Sequence, residues 1–158
     1  MTTERFCVRN VRYDDLSVIC ALEEQCFAVA WTMDDFELFC GEALCEASDV
    51  SRSLFLVCTD AYGGICGYLC ARRVLDEGEV LNVASSPSCR RMGVGRLLMT
   101  SAADMLASDG VREIFLEVRE SNSAARSLYA SLGYEAVGVR RCYYRCPIED
   151  AVLMRCLV

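Results

Sequence analysis

The alternation of apolar and polar residues predicts short strands and amphipathic helices along this chain. The segment FCVRNV (Phe6–Val11) alternates as a strand with one buried face does. A helix should follow, because apolar residues then recur every three or four positions behind two aspartates that can cap it. The aspartates are Asp14 and Asp15, and the apolar positions are Leu16, Ile19, Leu22 and Phe27.

A second helix is signalled by a capping box. Thr32 stands three residues before Asp35, which takes the place of the usual glutamate. The helix should run through Phe36, Phe39 and Leu44. Two helices therefore follow the first strand.

The middle of the chain predicts three strands joined by tight turns. The strands are SLFLVCT (Ser53–Thr59), ICGYLCARR (Ile65–Arg73) and EVLNVAS (Glu79–Ser85), with turns at 60–64 and 76–78. A hairpin connects the first two of these strands, and the second turn leads into the third.

Helical and strand patterns alternate in the second half. A glycine-containing turn opens a helix that should end near Ser108, before Gly110. The apolar face of this helix comprises Leu97, Leu98, Ala102, Met105 and Leu106. The strand EIFLEVR (Glu113–Arg119) comes next, and its apolar character predicts burial on both faces.

One more helix and two strands complete the pattern. Ser121 or Asn122 can cap the helix, and Gly133 can end it. Its apolar side comprises Ala125, Leu128, Tyr129 and Leu132. The last strands are predicted at 134–140 and 151–158. This order of elements predicts the α/β class, an α+β mixed sheet with helices packed on it. We find no repeat or linker, so residues 1–158 should form one domain.

The composition is that of a globular domain without a membrane segment. Apolar residues make up 54% of the 158 positions, and no run approaches the roughly 20 apolar residues that a membrane span needs. The first ten residues, MTTERFCVRN, lack the apolar core of a signal peptide. We therefore expect a cytoplasmic location and no membrane partner.

Twelve cysteines suggest either a disulfide framework or reduced thiols. The absence of a signal peptide favours thiols that pack as small apolar side chains. Five of them stand among apolar residues: Cys20, Cys58, Cys66, Cys70 and Cys156. The chain has no histidine and no C-x-x-C pair, so we expect no metal site.

The net charge of −7 argues against direct binding to nucleic acid or to an anionic membrane. It suits a basic partner, although solubility alone would also explain it. All sixteen basic residues are arginine, which excludes a phosphate loop of the type that requires lysine.

The stretch RRMGVGRLL, residues 90–98, is the strongest local signal in the chain. It follows a strand and opens a helix, where glycines and free N–H groups favour a bound phosphate. Arg90, Arg91 and Arg96 could add charged donors. A dinucleotide fingerprint would need a third glycine where Leu98 stands. A tight turn with solvated arginines explains the stretch equally well.

Glu117 is the one acidic residue in the apolar centre of its strand. Burial would raise the pKa of this carboxyl above its ordinary range, as a general base near neutral pH requires. The alternative is a structural ion pair with Arg119 or Arg112. Tyr129 lies on the apolar side of the next helix, where it is either a core residue or a donor of a phenol proton.

These segments together resemble the GNAT acetyltransferases, and within them the ribosomal-protein-alanine N-acetyltransferase branch. The resemblance covers nearly the whole chain. It rests on LNVASSPSCRRMGVGRLL, on FLEVRESNSAARSLYASLGYEAVG, and on RRCYYRCPIEDAVLMRC. The R-x-x-G-x-G pattern indicates only the superfamily, whereas the second and third segments are much narrower.

The resemblance implies a fold and a cosubstrate. The fold would be a central, mostly antiparallel seven-stranded sheet flanked by about four helices. The cosubstrate would be acetyl-coenzyme A, with its pyrophosphate on the turn and its pantetheine arm on the fourth strand. The residues implied are Val83, Ala84, Ser85, Arg90, Arg91, Met92, Gly93, Val94, Gly95, Arg96 and Asn122.

The resemblance also implies catalytic and substrate-binding residues. Glu117 would be the general base, and Tyr129 would be the general acid that protonates the coenzyme A thiolate. Tyr143 and Tyr144 would hold the peptide backbone, and Trp31 would wall the substrate site. The enzyme would be a monomer that acetylates the N-terminal alanine of a basic ribosomal protein.

Proton affinity bears on the choice of amine. Deprotonating a peptide α-amine of pKa ~8 at pH 7 costs about 1.4 kcal/mol, against roughly 4.6 kcal/mol for lysine. A single glutamate can therefore deprotonate an α-amine more easily than a lysine side chain. The alternatives are a GNAT enzyme for a small amine or lysine, and a non-catalytic coenzyme A-binding module. A nucleotide-binding regulator fits the turn poorly.

Overall fold

The computed structural model describes residues 5–158. Within this range, one mixed seven-stranded sheet and four α-helices follow the predicted order. The strands are β1 (Phe6–Asn10), β2 (Ser51–Asp60), β3 (Ile65–Val74), β4 (Glu77–Ser85), β5 (Glu113–Arg119), β6 (Glu135–Tyr144) and β7 (Glu149–Leu157). The helices are α1 (Leu16–Cys26), α2 (Met33–Leu44), α3 (Val94–Ser108) and α4 (Ser123–Ser131). The start of the predicted domain, residues 1–4, lies outside the described residues.

The sheet has the strand order β1-β2-β3-β4-β5-β7-β6. Every neighbouring pair is antiparallel except β4 and β5, which are parallel and are connected through α3. Helices cover both faces. One core contains Leu98 of α3 and Tyr129 of α4, and the other contains Ile19 of α1 and Phe36 of α2. The predicted mixed, mostly antiparallel sheet is confirmed.

Strand β5 is buried on one face and not on both. Ile114, Leu116 and Val118 are buried against the α3 side, while Phe115 and Glu117 on the other face are half-buried. The prediction of burial on both faces was wrong, because helices α1 and α2 do not extend fully over this part of the sheet. This partly covered face leaves the Glu117 side chain 15% exposed.

The start of α1 differs from the prediction. Asp15 is the N-cap residue by position, but its side chain makes no capping bond to α1. Its carboxylate instead accepts one hydrogen bond from the Arg12 N–H at 2.7 Å and one from each terminal nitrogen of Arg9, at 2.7 and 2.9 Å. The predicted apolar faces of the first two helices are also too long. Phe27 lies beyond the end of α1, and Leu44 of α2 is 49% exposed.

Replacing Asp15 by asparagine should destabilise the fold by about 1–3 kcal/mol at pH 7, since charge-assisted hydrogen bonds are lost. Bonding to Arg9 lowers the pKa of Asp15 from 3.8. The contribution is therefore complete above pH 3.8 and is lost as the pH falls through the folded-state pKa. Urea unfolding across this range should show the two proteins converging in acid. Equal stabilities at pH 7 would contradict the prediction.

All twelve cysteines are free thiols. Of the five expected among apolar residues, Cys58, Cys66 and Cys70 are buried and the other two are half-buried. Burial raises the pKa of Cys58 to about 11 and of Cys66 to about 12, so both remain protonated near neutral pH. Residues 5–158 contain no cluster of side chains arranged to hold a metal, and none of their helices is long and apolar enough to cross a membrane.

Candidate active site

The sheet opens between its two parallel strands. Pairing of β4 with β5 ends at Val80 and Leu116. Leu81 then forms a bulge against β3, because Val80 pairs with Ala71 whereas Asn82 pairs with Cys70. Beyond the bulge, β4 pairs only with β3, so its other edge has unpaired backbone groups. Glu117 is the first β5 residue past this point.

Residues Val83, Ala84 and Ser85 form the free edge of β4 beside this opening. They pair with Leu69, Tyr68 and Gly67 of β3. The fit to β3 is close at Gly67, where an added Cβ would lie 2.6 Å from the Ala84 carbonyl oxygen. An extended ligand arm could therefore pair with β4 in the place where β5 has separated from it.

The glycine turn leads directly into α3, as predicted. Gly93 is the N-cap in the left-handed conformation, with φ +90° and open space where a Cβ would stand. The helical ladder begins with the Leu97 N–H donating to the Gly93 carbonyl at 3.0 Å. The preceding N–H groups of Val94, Gly95 and Arg96 have no helical partner, which makes this helix end suitable for an anion.

The other residues predicted at the turn differ in their surroundings. Arg90 and Arg91 are exposed, Met92 is half-buried, and the Arg91 backbone has φ +63°. Arg96 instead donates to the Ser131 hydroxyl at 2.7 Å and joins α3 to α4. The Asn122 carboxamide oxygen caps α4 by accepting the Ala125 N–H at 3.2 Å. This capping bond uses the Asn122 oxygen and leaves its amide nitrogen for other contacts.

Glu117 forms an ion pair that the sequence did not suggest. Its Oε1 lies 2.6 Å from Nε of Arg140 on β6, and its side chain is 15% exposed. The expected pairing with Arg119 or Arg112 is absent from the described ion pairs: Arg119 binds Glu149 instead. Arg140 lies one strand beyond β7, so only the folding of the sheet brings it to Glu117.

Tyr143 and Tyr144 reach the same region through a bulge in β6. Arg141, Cys142 and Tyr143 lie opposite Asp150 alone, and Asp150 accepts the Cys142 N–H at 2.8 Å. The Tyr143 phenol lies close enough to Glu117 for this carboxylate to raise the pKa of Tyr143. The bulge extends β6 four residues past its predicted end at Arg140, and β7 begins at Glu149 instead of Ala151.

The second tyrosine is held against an arginine. The Arg119 guanidinium lies 4.5 Å from the centre of the Tyr144 ring. Burial, followed by the nearby Glu117 charge, raises the pKa of Tyr144 to about 12. Glu149 accepts the Ser121 N–H at 2.6 Å as well as binding Arg119. The pair Glu149–Asp150 therefore braces both the turn before α4 and the β6 bulge.

Tyr129 of α4 is 7% exposed and packs 6.0 Å from the ring of Tyr134. Burial, with a smaller contribution from Tyr144, raises the pKa of Tyr129 to about 12. The phenol is consequently protonated near neutral pH. Tyr129 is thus a core residue by its packing, and its hydroxyl retains a proton that it could donate.

Trp31 lies in the loop between α1 and α2, as predicted. Its ring packs against Phe36 and Phe39 at centroid distances of 5.4 and 5.8 Å. It lines a surface cavity of about 230 Å³ with Asp35, Leu38, Phe39, Glu42 and Arg72. The α1–α2 loop and Arg72 of β3 therefore lie on the same side of the sheet and line one concave surface.

A sequence model of the acetyltransferase (GNAT) family matches residues 16–134. The chain belongs to the GNAT acetyltransferase family. It is an acetyl-coenzyme A-dependent N-acetyltransferase, and the expected superfamily and fold are confirmed. The opening beside β4 and the free N–H groups of α3 fit the pantetheine arm and the pyrophosphate of that cosubstrate.

Two curated relatives of this GNAT enzyme are [ribosomal protein bS18]-alanine N-acetyltransferases. The protein from Escherichia coli strain K12 is 33% identical over 93% of this chain and 94% of its own length. The protein from Haemophilus influenzae is 32% identical over 94% of this chain and 97% of its own length.

Solved structures also match this GNAT enzyme. The ribosomal-protein-S18-alanine N-acetyltransferase from E. coli has a TM-score of 0.84 at 30% identity, with 97% of this chain and 94% of that chain covered. Ard1 from Thermoplasma volcanium has a TM-score of 0.85 at 22% identity, covering 98% of both chains, and shows the same fold.

Sequence reasoning missed three residues of this site. Glu23 of α1 is buried and accepts hydrogen bonds from the Trp31 backbone and from Asn82 of β4. Arg140 holds Glu117. A carboxylate at an apolar position of α1 was a signal for Glu23, whereas no pattern along the chain indicates which residue Arg140 or Asn82 contacts.

Proposed function

We propose that this enzyme acetylates the N-terminal alanine of a ribosomal protein, with Glu117 as general base and Tyr129 as general acid. The observation that carries the substrate is the full-length similarity to the two ribosomal bS18-alanine N-acetyltransferases. The whole chain would act as one domain and as a monomer. The acidic net charge of −7 supports a basic target.

The backbone of two elements would hold acetyl-coenzyme A. Val83, Ala84 and Ser85 would pair with the pantetheine arm, and the pyrophosphate would lie on the turn from Arg91 to Arg96. Arg90 would add charge there, and Asn122 would make a further contact. The cosubstrate supplies an activated acetyl thioester at the opening in the sheet. No cysteine is needed as a nucleophile, because the amine attacks directly.

Two protein side chains would then transfer protons, one as acceptor and one as donor. Glu117 accepts a proton from the ammonium group, directly or through water, so that the amine becomes nucleophilic. Arg140 fixes the direction of this carboxylate, and the Tyr143 phenol lies beside it. Tyr129, which burial keeps protonated, donates its proton to the departing thiolate as the C–S bond breaks, and the second proton released by the acetylated nitrogen restores the phenol. Tyr143, Tyr144 and Trp31 would flank the peptide.

We expect α-amines to be acetylated in preference to lysine side chains, because one carboxylate must remove the proton. Purified enzyme would be incubated with acetyl-coenzyme A and each of three peptides, two basic and one acidic, and the products would be located by mass spectrometry. One peptide has a free N-terminal alanine and no lysine, the second has a blocked N-terminus and one lysine, and the third replaces the arginines of the first by glutamate.

The first peptide should be acetylated fastest. Faster reaction of the blocked lysine peptide would assign the enzyme to side chains. Equal rates for the basic and acidic alanine peptides would remove the argument from charge. Binding of acetyl-coenzyme A without transfer to any amine would favour the non-catalytic module.

A further inference from the structure

A buried carboxylate connects the two walls of the site. Glu23 lies on α1, is 1% exposed, and is not used by the proposed proton transfers. Its Oε1 accepts the Trp31 N–H at 3.1 Å. Both of its oxygens accept from the Asn82 amide nitrogen, at 3.0 and 3.1 Å, and Oε2 also accepts the Tyr68 hydroxyl.

The partners of Glu23 come from three separate parts of the fold. Trp31 belongs to the α1–α2 loop, Tyr68 to β3, and Asn82 to β4. Each of them donates, so the surroundings require an acceptor at both oxygens of residue 23. Burial raises the pKa of Glu23, while the Trp31 and Asn82 donors oppose this shift by favouring the charged form.

Asn82 occupies the critical position on β4. It follows the Leu81 bulge, where β4 leaves β5, and it precedes Val83–Ser85 on the free edge. Trp31 begins the segment that leads into α2 and lines the surface cavity. One carboxylate thus joins the backbone of the substrate-side loop to the strand beside the opening.

We propose that Glu23 is a positioning residue that holds the Trp31 loop at a fixed separation from β4 and so sets where the acceptor amine meets the acetyl group. The inference rests on the proposed function, since it takes the opening as the acetyl site and the Trp31 loop as the substrate wall. Glu23 acts through Trp31 and Asn82 and does not touch the reacting atoms.

The test is Glu23→Gln, which keeps the volume but turns an amide N–H₂ toward donors. Glu24→Gln is the matched control, because Glu24 is the next residue of α1 and is exposed. The change at residue 23 should lower kcat/KM for the alanine peptide about 10- to 100-fold, mainly through KM. Acetyl-coenzyme A affinity should change less than about threefold, because Val83–Ser85 still pair with β3.

The double variant Glu23→Gln/Asn82→Asp restores a pair of amide and carboxylate with the roles exchanged. Its kcat/KM should be at least about tenfold higher than that of Glu23→Gln. The single variant Asn82→Asp places two carboxylates together, so its kcat/KM should stay low. Peptide kinetics of Glu23→Gln within twofold of Glu24→Gln would overturn the proposal. So would a lower melting temperature with unchanged KM well below that temperature.

Amide hydrogen exchange supplies a readout that does not depend on the substrate. The Trp31 amide should exchange at least about tenfold faster in Glu23→Gln than in Glu24→Gln. Equal protection would overturn the proposal even if peptides are acetylated normally. If the wild type acetylates only small amines, the proposed substrate fails, and the Glu23 comparison is made with that amine.

Discussion

Replacing Glu117 by glutamine should lower kcat for peptide acetylation about 10²–10⁴-fold, the usual effect of removing a general base. Glutamine retains the shape of the side chain but cannot take a proton from the ammonium group. Acetyl-coenzyme A should bind with unchanged affinity, because its expected partners are the backbone of β4 and the first turn of α3. The loss should therefore appear in turnover and not in cosubstrate binding.

The location of Glu117 is the reason for the size of this effect. It is the first residue of β5 beyond the paired segment, beside the opening in the sheet. Arg140 and Tyr143 contact its carboxylate from β6. Other acidic groups are present nearby, and Glu79 is close enough for the Glu117 charge to help raise the pKa of Glu79 after burial. Of the two, only Glu117 is past the last β4–β5 pair.

Glu113→Gln is the matched control for this prediction. Glu113 lies on the same face of β5, is also half-buried, and forms an ion pair with Arg155 at 3.6 Å. Steady-state kinetics with an alanine peptide, and calorimetric binding of acetyl-coenzyme A, would be measured for both variants. Full turnover in Glu117→Gln would refute the assignment, as would equal losses in both variants.

The second large effect is expected from Tyr129→Phe, which should slow kcat about 10²-fold or more if the phenol protonates the leaving thiolate. Burial raises the pKa of Tyr129 to about 12, so the proton is present across the working pH range. Phenylalanine keeps the packing against Tyr134 and loses only the hydroxyl. The fold and the cosubstrate affinity should both survive.

Tyr134→Phe separates catalysis from packing. Tyr134 is buried beside Tyr129, and burial raises its pKa as well, but the resemblance assigns it no role. Turnover, cosubstrate affinity and melting temperature would be compared between the two variants. A loss of affinity or stability alone in Tyr129→Phe would make Tyr129 a binding or core residue, and equal kinetic losses in both would do the same.

Local sequence patterns were enough to predict most of the fold. The Thr32 and Asp35 capping box forms as predicted, and the predicted glycine turn does open α3, with Gly93 in the left-handed conformation. Both depend on neighbours within a few residues, which the sequence displays directly. The β5 prediction failed because an apolar strand does not reveal how far α1 and α2 extend over each of its faces.

The same distinction between local and long-range features applies to the candidate site. The glycine turn and the acidic residue of β5 were visible in the chain. The partners of Glu117 and Glu23 were not, because Arg140 is two strands away in the sheet and Asn82 is 59 positions from Glu23. Long-range pairs are set by strand order and register, and a bulge such as that at 141–143 moves a side chain without changing its neighbours in sequence.

The sequence by itself determined the succession of elements, the glycine turn that opens α3 and the family motifs that indicate acetyl transfer. Each of these is encoded in short-range patterns of apolarity, glycine and capping residues. Only the tertiary structure decided that β4 leaves β5 at Glu117, that Arg140 holds this carboxylate, and that Glu23 joins the Trp31 loop to Asn82. The physical reason is that these contacts arise where distant segments are packed together, so their geometry exists only in the folded sheet.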